Sequence, residues 1–286
     1  MSNSPKSVEM SDGHRYWNGD GGDTWARTMD VSERNFASMT AVLKSRAAAK
    51  PGEQVLDVGC GGGVTCRELA EQVLPGGAVV GMDISATILD IAAQRHGGAD
   101  NLSFTQADVG TVALPAEQFD LVYSRFGVMF FDEPPVAFRN LRNALKASGR
   151  LVFMCWRSIK DNPWIYATTA AAVAQLPEEH RPAAPADPFA PGPFALADEE
   201  HTRQLLTGAG FKEVKMEPLG DVMRLADVDT ALEYLLELGP VGNALKQVPA
   251  DRAKAAERAM REVLQGYTSA EGLNVPSATW IVTARP

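Results

Sequence analysis

The run Val55-Leu56-Asp57-Val58-Gly59-Cys60-Gly61-Gly62-Gly63 joins a carboxylate to glycines at 59, 61 and 63. Without a Cβ, such a turn can bring backbone N–H groups against a ligand as a strand passes into a helix. Its spacing excludes two familiar variants. The dinucleotide fingerprint G-x-G-x-x-G needs glycine or alanine at its last position, which is Val64 counted from Gly59 and Cys66 counted from Gly61. No Gly-Lys-Ser/Thr follows, so the turn is not a phosphate-binding P-loop. A nicotinamide-linked oxidoreductase therefore shares the strand pattern but fails the glycine spacing.

Further carboxylates follow in order. Met82-Asp83-Ile84-Ser85 places one about 20 residues beyond the glycines, where an acid can accept hydrogen bonds from two ribose hydroxyls. Gln106-Ala107-Asp108-Val109 supplies the next, and Phe119-Asp120-Leu121-Val122-Tyr123-Ser124-Arg125-Phe126 adds a hydroxyl and a guanidinium. One such acid alone is most simply a helix N-cap. Asp57, Asp83, Asp108 and Ser124 in series point to one shared ligand.

The elements that must position them alternate. Short apolar runs at 54–58, 78–82, 102–106, 119–123 and 151–155 are separated by helical spacing at 64–73, 86–94 and 136–146. That rhythm predicts a doubly wound, mostly parallel α/β sheet with right-handed crossovers, Rossmann-like, whose ligands bind outside the carboxyl ends of the strands. Strands at 212–216 and 277–284 complete a seven-stranded sheet, with helices expected at 199–208, 229–238 and 251–265. A helix is expected over 31–46, preceded by a polar, glycine-rich segment carrying Tyr16, Trp17 and Trp25. After Trp156 the rhythm fails: seven of the 18 prolines fall between 163 and 193, around the alanine-rich stretch 167–174. The expected organisation is one domain over 1–286: an N-terminal lid and helix (1–50), a cofactor-binding half (51–156), a helical and proline-rich cap insertion (157–197), and C-terminal helices with the last two strands (198–286).

With these motifs the chain resembles the class I S-adenosylmethionine-dependent methyltransferases, in the small-molecule branch of the ubiquinone/menaquinone-biosynthesis type. The resemblance is specific over 55–131 and looser over 156–197, where Asn162-Pro163-Trp164 and Pro191-Gly192-Pro193-Phe194 still match. It implies S-adenosyl-L-methionine as cofactor. Asp57, Gly59, Cys60 and Gly61 would hold its methionine part, Asp83 its ribose, Ile84 and Val109 its adenine, and Asp108 the adenine amino group. Ser124 and Arg125 would border the sulfonium and the substrate. Trp25, Tyr16 and Trp17 would close over the site as a lid, or else staple the first helix to the sheet.

A sulfonium is already electrophilic, so a protein has mainly to hold a nucleophile in line, and positioning alone supplies ~7–11 kcal/mol. Aromatic rings suit a cationic sulfur, and a lid excludes water. No Ser/His/Asp triad is needed, and none is evident. Phe126 and Phe130, with Trp156 and Trp164 of the cap, are expected to line an acceptor pocket with Tyr16, Trp17 and Arg125, although the run 126–131 reads equally well as core. An enclosed aromatic site suits a small, partly apolar acceptor. His14, Tyr16 and His180 are the candidate general bases, so methylation at O, N, C or S stays open.

The chain has 286 residues, which prior domain sizes convert to about two domains. Twenty-seven basic against 36 acidic residues give a net charge of −9, which disfavours nucleic acid as a partner. The Asn/Asp-Pro-Pro-Tyr/Phe signature of nucleic-acid amino methyltransferases is missing after the fourth strand, where Ser124-Arg125-Phe126-Gly127 stands. Three cysteines without ligand spacing point to neither a disulfide framework nor a metal site. No run approaches the ~18 apolar residues of a membrane span, and no secretory signal is evident. The expectation is a cytoplasmic enzyme with a small-molecule acceptor, no nucleic-acid or membrane partner, and room for a homodimer. Other readings are a methyltransferase of RNA or protein, or a non-catalytic cofactor-binding protein of the same fold.

Overall fold

A computed structural model describes residues 11–183 and 186–286. Two helices open the chain, α1 (Asp12–Trp17) and α2 (Asp20–Ala47). Alternation follows with β1 (Gln54–Val58), α3 (Val64–Gln72), β2 (Ala78–Asp83), α4 (Ala86–His96), β3 (Leu102–Gln106), β4 (Phe119–Arg125), α5 (Pro134–Ala144) and β5 (Leu145–Trp156). Then come α6 (Pro163–Val173), α7 (Glu199–Gly208), β6 (Lys212–Leu225), α8 (Val228–Leu238), α9 (Pro240–Leu245), α10 (Ala250–Gln265), β7 (Thr268–Ser269) and β8 (Gly272–Arg285).

The strand order is β3-β2-β1-β4-β5-β8-β6, with the two-residue β7 pairing β8 as an eighth strand. The first five are parallel, and β8 runs antiparallel to both β5 and β6. The central strands are largely apolar because helices cover both faces: Val55, Leu56 and Val58, Leu121 to Tyr123, and Leu151 to Cys155 are all buried. The chain leaves β1 toward β2 and β3 on one side and enters β4 and β5 on the other. The order thus reverses between β1 and β4, and a crevice opens outside their carboxyl ends.

Several elements differ from the sequence expectation. The first long helix begins at Asp20 rather than 31, and α1 precedes it. Gly21 and Gly22 made the segment read as irregular, since glycine is a poor helix former. They stand in the helix because a Cβ on Gly21 would lie 2.3 Å from the Tyr16 ring and one on Gly22 would lie 2.1 Å from the Trp17 carbonyl oxygen. Strand β5 begins at Leu145, with an irregular register between Phe119 and Leu121 of its partner. Strands β6 and β8 are 14 residues each, longer than the 212–216 and 277–284 runs. Charged residues at alternate positions of β6, Glu213, Lys215 and Glu217, with Asp221 and Arg224 further on, hide it from an apolar search.

Thr279 of β8 pairs with both Trp156, the last residue of β5, and Leu219 of β6. Residues 219–225 and 272–278 therefore run past the sheet edge as a wall beside the crevice. The far end of α2 is clamped by Arg150 of β5, whose guanidinium donates to the carbonyls of Ala47 and Ala48 and to Glu53. Among the described residues, no helix is long and apolar enough to cross a membrane.

Candidate functional site

The loops after β1 and β4 cross at two glycines. A Cβ on Gly59 would stand 2.6 Å from Gly127 Cα, and one on Gly127 would stand 2.5 Å from the Val58 carbonyl oxygen and 2.8 Å from Gly59 Cα. Gly59, Gly61 and Gly63 all have positive φ, which bends the loop back under helix α3. Ser124, fully buried, locks the crossing: its Oγ donates to the Val58 carbonyl at 2.7 Å and accepts from Gly127 N–H at 3.2 Å. Ser124 is thus committed to the two loops themselves. Gly127 was not singled out in the sequence; the Ser-x-x-Gly spacing after the strand was the available signal.

Asp57 lies at the root of the loop, where its Oδ2 accepts from Thr65 Oγ1 at 2.6 Å and from Cys66 Sγ at 3.2 Å. Those bonds tie β1 to the first turn of α3. Its Oδ1 is buried with no hydrogen-bond partner, and burial lifts the carboxyl to a pKa of about 6. Tyr123, opposite Asp57 in the β1–β4 register, likewise has a buried hydroxyl with no partner.

Asp83 closes β2. Its Oδ2 accepts from Gly61 N–H at 2.9 Å and its Oδ1 from Ser85 N–H at 3.0 Å, while burial raises its pKa against those bonds. The Ile84 carbonyl accepts from Asn18 Nδ2 at 3.0 Å and from Gln106 Nε2 at 3.2 Å. Asp108 accepts from Gly110 N–H at 2.8 Å in a tight turn, beside buried Val109, whose carbonyl accepts from Asn140 Nδ2. The three acids stand at the ends of β1 and β2 and just past β3, around one loop. Cys60 is buried within that loop.

The N-terminal helices lie across this crevice. Asn18 accepts from Ala86 N–H at 3.0 Å on the β2 side, and Gly13 N–H donates to Asp132 at 3.2 Å on the β4 side. The Trp17 ring meets Phe130 edge-on at 5.0 Å. Trp25 lies over the glycine loop, its Nε1 3.5 Å from where a Gly61 Cβ would be. His14, between the two anchors, has a buried Nδ1 with no partner. Asn18, which holds the lid to the β2 edge, was missed because a lone asparagine carries no pattern.

Several residues expected at the substrate lie elsewhere. Tyr16 is 57% exposed and packs over Gly21, on the outside of the lid. Arg125, whose side chain is 9% exposed, gives its guanidinium to α2: it pairs bidentately with Glu33 and donates to Thr40 Oγ1 at 2.9 Å. A buried guanidinium needs such partners, and Glu33 supplies them. His180 lines an open depression with Asn243 and Gln247 on the α9 side of the cap. Phe126, Trp156 and Trp164 do come together, joined by Phe36 of α2.

Residues 56–153 match the methyltransferase domain family. The chain is 30% identical over 112 residues to the ubiquinone/menaquinone biosynthesis C-methyltransferase of Hahella chejuensis, covering 38% of this chain and 45% of that protein. It is 35% identical over 120 residues to the aklanonic acid methyltransferase of a Streptomyces species, covering 41% of this chain and 54% of that protein. The chain thus spans about half the length of these curated relatives. The fold is similar to that of phosphoethanolamine N-methyltransferase 2 of Haemonchus contortus, with a TM-score of 0.57 and 17% identity over 97% of this chain and 61% of that one.

Proposed function

We propose that this chain, whose residues 56–153 match the methyltransferase domain family, is a class I S-adenosylmethionine-dependent methyltransferase that methylates a small, partly apolar metabolite held beneath the lid and cap. The observation that carries this is the convergence of Asp57, the glycine crossing, Asp83 and Asp108 at the reversal of strand order. The donor and acceptor set fits S-adenosyl-L-methionine. Asp57 Oδ1 is a buried acceptor lacking a donor, suited to an ammonium group. Asp83 is fixed by two backbone N–H groups with lone pairs to spare for ribose hydroxyls. Asp108 Oδ2 accepts no hydrogen bond from the described residues and suits an exocyclic amine.

When bound, the cofactor supplies an electrophilic methyl group. The chain's own part is to orient and enclose. Ser124 and Gly127 fix the separation of the β1 and β4 loops, so that the acceptor side is rigid relative to the cofactor side. Trp17, Trp25 and Asn18 close the crevice and exclude water, which strengthens the electrostatics inside it. Phe126 and Trp156 offer an apolar surface to the acceptor and polarisable faces to a cation. The buried, unpaired Nδ1 of His14 supports this residue as the candidate base for an acidic acceptor. Both N- and C-methyltransferases occur among the relatives, so the acceptor atom is set by the substrate pocket rather than by the cofactor loop.

Calorimetric titration with S-adenosylhomocysteine tests the assignment. Micromolar binding is expected for the wild type and at least about tenfold weaker binding for Asp83→Ala, which loses a charge-assisted hydrogen-bond acceptor. Equal binding in both proteins, or none in the wild type, overturns it.

A further inference from the structure

At the end of the sheet opposite the crevice lies a depression of about 530 Å³. Its lining includes Glu117 just before β4, Arg142 and Asn143 near the end of α5, and Lys212, the first residue of β6. The starts of β4, β5 and β6 all stand at this end, so none of the lining comes from the loops after β1 and β4. The irregular register of β5 falls here too. Leu145 pairs with Phe119 and Arg150 with Leu121, which leaves residues 146–149 outside the ladder. Glu117 N–H is held by the Asn143 carbonyl at 3.0 Å.

Acids outnumber cations in this chain, with a net charge of −9, yet this end gathers cations that no carboxylate answers. The neighbouring Lys146 and Arg150 are paired with Asp120 and Glu53. Arg142, Lys212 and Arg285 form no ion pair with the described residues. Lys212 and Arg285 stand directly opposite each other in the β6–β8 register, a like-charge arrangement that is destabilising. Arg285 turns its Nη1 to the carbonyls of Ser148 and Gly149, at 3.1 and 3.0 Å. Arg142 is held in place by packing, its Nε 3.2 Å from where a Gly210 Cβ would stand, and its Nη1 donates to Asn143 Oδ1 at 3.4 Å. Two of the four non-glycine residues with positive φ among the described residues are also here: Glu117 at 51° and Glu213, next to Lys212, at 50°. Such strain clusters at ligand clamps.

We propose that this depression is a second binding site, separate from the crevice, for a small dianion: a phosphate monoester or a dicarboxylate. Its volume is within the range of small-molecule sites. Guanidinium and ammonium groups only donate, so the ligand they meet must accept, and their hydrogen bonds to an anion are about twice as strong as neutral ones. A dianion supplies the negative charge that Arg142 and Lys212 lack, and it relieves the opposition of Lys212 and Arg285. Glu117 lines the same depression and repels an anion. It therefore weakens the site, and removing its charge must strengthen binding.

The probes are glycerol 3-phosphate and succinate, titrated by calorimetry at an ionic strength held constant with sodium chloride. Any purification tag is placed at the N-terminus, because Pro286 borders the depression. Saturable binding of at least one probe is expected with a Kd below about 1 mM, equal with and without S-adenosylhomocysteine. The tighter probe identifies the anion. Arg142→Gln and Lys212→Gln should each weaken binding about three- to tenfold. Arg142→Lys, which keeps the charge and loses the fork, should fall between Arg142→Gln and the wild type. Glu117→Gln should tighten binding about twofold or more. S-adenosylhomocysteine affinity should stay unchanged in all four variants. No saturable binding of either probe, binding that survives both Arg142→Gln and Lys212→Gln, or competition by S-adenosylhomocysteine overturns the proposal.

Discussion

Replacing Gly127 with alanine adds one methyl group at the crossing that spaces the loops after β1 and β4. The backbone there has φ −80° and ψ −41°, which alanine adopts freely, so dihedral strain plays no part. The clash alone decides. The new Cβ would stand 2.5 Å from the Val58 carbonyl oxygen, 2.8 Å from Gly59 Cα and 3.0 Å from Ser124 Oγ. Comfortable carbon contacts begin near 3.5 Å, so the loops must part by about 1 Å. Two of the three atoms are backbone and cannot rotate away. Overpacking of this kind costs about 1–3 kcal/mol, a fall in Tm on the order of 5 °C for a chain of this size. A shift of about 1 Å between reacting partners can cost about 100-fold in rate. Thermal unfolding measures the first effect and the rate of labelled methyl transfer the second, while S-adenosylhomocysteine calorimetry reads whether the cofactor product still binds. Gly220→Ala is the control, because nothing lies within 4 Å of a Cβ there. If Gly127→Ala unfolds and binds like Gly220→Ala, the crossing does not set the site.

Two other perturbations test the surroundings. Glu33→Gln leaves the buried Arg125 guanidinium without its carboxylate, a loss of about 3 kcal/mol in urea unfolding; replacing both partners with apolar residues should recover much of it. Asp57 has its pKa lifted by burial from 3.8 to about 6, so the native state binds a proton between about pH 4 and 6 that the unfolded chain has released. This contribution to stability is full below pH 4 and is lost as pH rises through 6, by about 3 kcal/mol at 1.36 kcal/mol per pKa step. Unfolding free energies across that window should show this slope in the wild type and lack it in Asp57→Asn; parallel curves would refute it.

The parallel half of the fold was legible because buried central strands are apolar runs bounded by turns, and the acids at their ends fall in a fixed order. The lid helix was not, since Gly21 and Gly22 serve close packing against Tyr16 and Trp17 in a place where propensity argues against helix. Strand β6 was half read, because an edge strand with charges on alternate positions has no apolar signature. Within the site, Asp57, Asp83 and Asp108 could be picked out from their order at the ends of successive strands. Arg125 could not be placed, because its partner Glu33 lies 92 residues earlier and a guanidinium beside a presumed pocket reads as a ligand group.

The central claim is methyl transfer to a small molecule, and following the label tests it most directly. The protein would be incubated with S-adenosylmethionine carrying a labelled methyl group and, separately, with the small-molecule, RNA and protein fractions of its source cells. The account predicts label in a low-mass, organic-extractable product, absent with Asp83→Ala. Label in RNA or protein, or in no fraction while S-adenosylhomocysteine still binds, would contradict it.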